Sequence, residues 1–269
     1  VPRAWEAQDE MGEGMDDGLD DNQRSLKEAF VAARGYWAPI WDQVLRVSPA
    51  YFEAYVKLSS VPARTGTLDP KVRELIHIAI DASTTHLHQP GLRIHIPKAL
   101  ELGATNGEIM EVLELTSVLG VHTITFGLPI LIDEARKAGR AAEVAMAPLT
   151  AAQDELKKTF TENRGYWSPL WDGLIRLSPE FFEAYMQFSS VPWTTGTLDP
   201  KVRELIYIAI DSATTHMYEP GLRVHIQNAL RYGATVAEIL EVYQIVAALG
   251  VHTVTVGVPI LMDALGEGA

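Results

Sequence analysis

Hydrophobic positions recur at helical spacing along almost the whole chain, and no strand-like alternation replaces them anywhere. From Asn22 the pattern runs through Leu26, Phe30 and Val31 to Gly35, then through Tyr36, Trp37, Ile40, Trp41 and Leu45. An aromatic stripe at this spacing reads as core rather than as pocket lining. Ser48-Pro49 predicts the N-cap and first turn of the next helix. Asp69-Pro70 predicts another from about Lys71 to Ala82, with Leu75, Ile76, Ala79 and Ile80 on its apolar face and Glu74, His77 and Asp81 along one stripe. Thr84 to Gly91 reads as a polar turn, a second helix follows through His95, Ala99 and Leu100, and Gly103 supplies its stop. Thr105 and Glu108 then form a capping box. The helix they open is apolar on most sides, so it is expected to be long, buried and central, and to be kinked or broken at Pro129.

At Thr150 the pattern restarts. Gly35-Tyr36-Trp37 returns as Gly165-Tyr166-Trp167, and the offset of 130 holds without a gap to Leu261. Roughly three in five aligned positions are identical, which marks a tandem duplication. The expected organisation is an acidic arm over 1–22 carrying a lone Trp5, a first repeat over 23–133, a connector over 134–149 and a second repeat over 150–269. The fold class is all-α, with the two repeats packed as a pseudo-two-fold pair, since two copies are too few for a solenoid.

Composition narrows the function. A net charge of −13 argues against nucleic acid and anionic membranes as partners. The sequence shows no run of 18 apolar residues and no signal peptide, so no membrane span and a cytoplasmic location are expected. There is no cysteine, which removes disulfides, thiolate nucleophiles and Cys-ligated zinc.

The remaining chemistry concentrates in Leu68–Gly103 and its copy Leu198–Gly233. Glu74/Glu204, Asp81/Asp211, His86/His216, Arg93/Arg223, His95/His225 and His122/His252 are kept between the copies. If the two helices are antiparallel, Glu74, His86 and His95 converge at the turn end, and a carboxylate beside imidazoles makes a general acid–base pair. Asp81 sits at apolar depth and needs a partner, from Arg93 or a turn histidine; a structural ion pair between helices and a functional role stand evenly balanced. His122 reads as a hydrogen-bonded core histidine. His86, His88 and His95 place three imidazoles within ten residues, a ligand type suited to a transition metal but a spacing that fits no standard motif. His77, His88, Gln89 and Lys98 become Tyr207, Tyr218, Glu219 and Asn228, so the two sites have diverged, one composite site draws on both copies, or the changes are neutral drift.

The block Lys71-Val72-Arg73-Glu74-Leu75-Ile76, followed by a polar turn and then His95, Ala99, Leu100, Gly103, Ala104, Thr105, Glu108, Ile109 and Glu111, resembles the carboxymuconolactone decarboxylase and AhpD-like family. The match recurs at Lys201 to Glu241. The resemblance implies an all-α fold whose subunits pair and assemble further, hence a trimer of two-repeat chains here. The thiol positions of the AhpD-like branch fall on His88 and Gly91, and on Tyr218 and Gly221, so thiol peroxidase chemistry is excluded. The decarboxylase branch implies a carbon–carbon lyase that removes CO2 from a small aromatic-derived lactone acid without a cofactor. The candidate catalytic set is Glu74, His86, His88, His95, Arg93, Glu204, His216 and His225, with Arg93 holding a carboxylate and the histidines supplying a proton. A metal-dependent hydrolase or oxygenase using His86, His88 and His95, and a non-catalytic small-molecule binder or scaffold, stay open beside it.

Overall fold

The computed structural model describes residues 18–266; the expected arm, including Trp5, lies outside these except for its last residues. The first repeat forms α1 (Asp21–Arg34), α2 (Ile40–Val47), α3 (Pro49–Ser59), α4 (Val61–Thr65), α5 (Pro70–Ala82), α6 (Gln89–Glu101), α7 (Asn106–Ser117) and α8 (His122–Lys137). The second forms α9 (Ala151–Arg164), α10 (Asp172–Leu177), α11 (Pro179–Thr195), α12 (Pro200–Ser212), α13 (Glu219–Arg231), α14 (Val236–Ala247) and α15 (His252–Leu265). No strand occurs among the described residues.

Local chemistry sets these boundaries. Asp69 and Asp199 each accept a hydrogen bond from the backbone of the lysine two residues on, with proline opening α5 and α12. Thr105 with Glu108 and Thr235 with Glu238 form complete capping boxes. Ser48 caps no amide with its side chain; Pro49 alone marks the start of α3. The helix through Pro129 does not break there. The interruption falls earlier, at a 3-10 turn over Val118–Val121, and α8 continues through the proline to Lys137, into the segment expected to be connector. The first helix likewise begins at Asp21, inside the expected arm, because Asp20 caps it.

The chain divides into two compact units that do not follow the repeats. One comprises the described residues up to Val61 together with those from Gly250 onward; the other is Pro62–Leu249. The first unit is organised around Phe30, Trp41 and Phe52, packed with Val44, Leu45 and Val251.

In the second unit α5 and α12 are the central pair, not α7. Leu75, Ile78 and Ala79 share one core with Ile206 and Ile210, while Ile76 and Ile80 share another with Leu205, Ile208 and Ala209. A reciprocal pair of buried carboxylates ties the repeats together. Glu111 on α7 accepts hydrogen bonds from the Thr197 and Leu198 amides (2.7 and 3.0 Å) and from Arg203. Glu241 on α14 accepts the matching set from Thr67, Leu68 and Arg73 (2.6, 2.9 and 2.6 Å). The expected pseudo-two-fold pairing is visible in this exchange. Gly66 and Gly196 make room for it, since a Cβ at either would overlap the incoming carboxylate.

Two helical runs, Asn106–Lys137 and Val236–Leu265, are long and apolar enough to cross a membrane by length and composition. Each, however, carries one of these ion-paired glutamates in the core, at Glu111 and Glu241. On α8 the side chains of Phe126, Ile130 and Leu131 are exposed, as are Val256, Ile260 and Leu261 on α15.

Candidate active site

The turn between α12 and α13 sets the site. His216 and Met217 donate backbone hydrogen bonds to the Ala213 carbonyl, and Tyr218 donates to that of Asp211 (2.8 Å). Met217 takes a positive φ of 54°, as Leu87 does at 49° in the first repeat. A left-handed conformation costs a non-glycine residue about 1–2 kcal/mol, so its appearance at the same place twice shows a turn held by its surroundings. The tight reversal folds residues 216 and 218 back beside Asp211.

In the second repeat a chain of ionisable groups results. Glu204 on α12 is fully buried, at 0% exposure, and its Oε2 lies 2.6 Å from His225 Nδ1. Asn228 donates to the other carboxylate oxygen at 3.2 Å. His225 Nε2 faces Asp211 Oδ2 at 4.0 Å, and Asp211 Oδ1 faces His122 Nδ1 at 3.8 Å. That same His122 nitrogen meets His216 Nε2 at 2.6 Å. Aromatic rings fix the imidazole planes: Tyr207 stacks on His225 at 4.4 Å and Tyr218 on His122 at 3.9 Å. Tyr218 donates its hydroxyl hydrogen to Thr125 (2.6 Å).

A cavity of about 40 Å³ opens against this chain, lined by His122, Arg164, Tyr166, Tyr207, Tyr218 and His225 among others. Arg164 is the buried cation here, only 4% exposed. Its guanidinium lies 4.8 Å from the Trp193 ring centre and 5.7 Å from that of Tyr207, and it donates to the Ser189 carbonyl at 3.0 Å.

Burial sorts the protonation states. It pushes His122 down to about 3, helped by the neighbouring His216 and His225, so this imidazole is neutral at pH 7. Burial raises Asp211 to about 7; Glu204 adds to the rise and His225 opposes it. Burial also lowers His216 and raises Tyr207 and Tyr218. Neutral donors and protonated phenols therefore face the cavity, with Asp211 close to its midpoint.

The first repeat brings together two of the expected groups separately. Glu74 Oε2 lies 2.7 Å from His95 Nδ1, while Lys98 Nζ approaches the other oxygen at 3.9 Å. His77 stacks on His95 with centroids 4.2 Å apart. His86 and His88 instead flank Asp81, at 4.0 and 3.7 Å, and their rings stack on each other. Burial lowers the pKa of His86 against the pull of Asp81. His95 thus stands with Glu74, apart from the other two histidines expected as metal ligands with it, while Asp81, His86 and His88 offer donors within 4.8 Å of one another.

Of the sequence-predicted set, Glu204 and His225 form the buried pair, and His216 joins His122 and Asp211. Arg93 lies on the exposed side of α6, and its counterpart Arg223 is exposed and paired with Glu219. The cation on the cavity is Arg164, which the sequence reading passed over. Its signal lies in the repeated Arg34-Gly35-Tyr36-Trp37 and Arg164-Gly165-Tyr166-Trp167, where the aromatics dominate the pattern. The glycines at 91 and 221, matching a thiol position of the AhpD-like pattern, have a local reason: a Cβ at either would overlap the carboxylate of Asp81 or Asp211.

Comparison with known proteins agrees with this architecture. The model of the carboxymuconolactone decarboxylase family matches residues 49–125 and 179–267. A crystal structure of a proposed gamma-carboxymuconolactone decarboxylase subunit from Burkholderia xenovorans is 44% identical, with a TM-score of 0.87 over 92% of this chain and 98% of that one. No curated protein matches. The duplicated motif, the interlocked helical repeats and these two matches place the chain in the carboxymuconolactone decarboxylase family.

Proposed function

We propose that this protein is a carbon–carbon lyase that decarboxylates a small carboxylated ring or lactone compound by acid–base chemistry, centred on Glu204 and His225. The observation that carries the reading is the buried Glu204–His225 pair at 2.6 Å, with His225 lining a cavity that also holds the Arg164 guanidinium. Arg164 pairs with a substrate carboxylate. The bond to the leaving carboxylate breaks, its electrons pass into a conjugated ring carbonyl, and CO2 departs. His225 then delivers a proton to the carbon, so each turnover consumes one proton. Glu204 fixes the ring through Nδ1 and balances its charge, leaving Nε2 as the edge that reaches substrate and Asp211. The opening of this buried pair on a cavity favours catalysis over a non-catalytic scaffold.

The test is CO2 release from a panel of carboxylated lactones. Glu204→Gln keeps the shape of the side chain and removes its charge, and turnover is expected to fall by about 10²–10⁴-fold. Turnover unchanged in this variant sinks the reading. The exposed apolar residues of α8, Phe126, Ile130 and Leu131, support assembly into a trimer of two-repeat chains. The Burkholderia relative is itself described as a subunit. Sedimentation at micromolar concentration reads that assembly directly.

A further inference from the structure

Beside the Glu204–His225 pair a second set of donors converges, from three distant parts of the chain. His122 opens α8, Asp211 lies near the end of α12 and His216 sits in the left-handed turn that follows. One ligand atom from each lies within 4.8 Å of the other two. The His122–His216 nitrogens are 2.6 Å apart, and His122 Nδ1 is 3.8 Å from Asp211 Oδ1. These separations bracket the roughly 3 Å expected between donors that each sit about 2.0–2.2 Å from one ion. An independent observation points the same way. Asp211 Oδ2 is buried with no hydrogen-bond partner among the described residues, in a cluster where every other member is an imidazole or a phenol. A bound cation would satisfy that carboxylate. Stacking on Tyr218 holds the His122 ring in place, and His122 borders the cavity, which leaves room for exchangeable ligands.

We propose that His122, Asp211 and His216 form a binding site for a divalent transition-metal ion, with open coordination positions facing the cavity. Two imidazoles and one carboxylate suit zinc or ferrous iron rather than calcium or magnesium, which take oxygen donors. The proposal stands independently of the acid–base reading, because ion binding is scored without turnover. The experiment uses the full chain without a histidine tag, stripped with chelator and then titrated with Zn2+ by calorimetry and with Co2+ by visible absorption. Wild type is expected to bind an equivalent that His122→Ala and His216→Ala each weaken by at least about 100-fold. His86→Ala, in the first repeat, is expected to keep that equivalent. His216→Gln in the half-exposed turn repeats the loss with a milder change, and circular dichroism verifies folding of every variant. The Zn2+-induced rise in Tm should vanish with the same substitutions. No wild-type binding tighter than millimolar overturns the site. So does binding unchanged in the folded His122 and His216 variants, or lost only in His86→Ala.

Discussion

The Glu–His pairs of the two repeats began as one sequence and now occupy different surroundings. Glu204 is sealed from solvent, with an amide from Asn228 on its second oxygen and the Tyr207 ring against His225. Glu74 is more exposed, faces the ammonium of Lys98, and its histidine stacks on a second imidazole, His77. The contact itself hardly differs, 2.6 against 2.7 Å. What differs is the charge and dielectric around it. In the second repeat the carboxylate is held directly by His225 and the Asn228 amide, with no lysine at that position, in a medium where electrostatic interactions are strong. In the first, a lysine shares the carboxylate closer to water. Retention of a motif through duplication therefore does not give two equal surroundings; on the proposed function, the neighbours that changed assign the chemistry to the second pair.

The interlocking carboxylates provide the contrast, because there duplication kept the hydrogen-bond partners too. Glu111→Ala and Glu241→Ala each leave an arginine (buried Arg203 or half-buried Arg73) and two amides without their carboxylate. Each is expected to cost about 3–5 kcal/mol in urea denaturation, equally in the two repeats. A silent result at one of them would show that the pseudo-two-fold lock is not symmetric.

A smaller effect is expected from exchanging the residues beside the pairs. Asn228→Lys brings an ammonium to Glu204 and should lower turnover by about 10-fold, as the carboxylate is shared. Lys98→Asn, the reverse change, should leave turnover within about two-fold if the reaction belongs to the second pair as proposed. Equal effects from the two exchanges would break the comparison.

The smallest signal lies in the pH dependence of stability, measured on chelator-treated protein. Asp211 holds its proton to about pH 7 when folded but only to about 3.9 unfolded. The folded state binds the extra proton, so this group's contribution falls as pH rises through that window. His122 titrates at about 3 folded and near 6.5 unfolded, so its contribution rises with pH over nearly the same range. The two slopes oppose each other in the wild type. Asp211→Asn should therefore make Tm climb more steeply between pH 4 and 6.5, and His122→Gln should flatten or invert the climb.

Much of the fold was legible in the sequence. The caps at Asp69, Thr105, Asp199 and Thr235 act on local hydrogen bonds, which sequence spacing determines. Pro129 misled because a proline seven residues into a helix removes one hydrogen bond and can be carried by the rest, whereas the true interruption at Val118–Val121 has no strong breaker apart from Gly120. Glu74, His86 and His95 were expected to converge from antiparallel helices flanking one turn; Glu74 does meet His95, and Glu204 meets His225 likewise, but the turn carries His86 to Asp81 instead. The meeting of His122 with His216 was not, since 94 residues separate them and only the packing of the two repeats brings them together. Arg164 escaped for a related reason: its partners Trp193 and Tyr207 come from α11 and α12, and no periodicity marks a cation held by rings from other helices.

The most direct test compares His225→Gln with His95→Gln for CO2 release from the same carboxylated lactone. Two equal, independent sites would each carry half the turnover, so each variant would keep about half. An unequal pair, with the reaction at Glu204–His225, predicts a fall of about 100-fold or more in His225→Gln and near-full activity in His95→Gln. Matching half-losses, or the larger loss in His95→Gln, would contradict the assignment of the reaction to the second repeat.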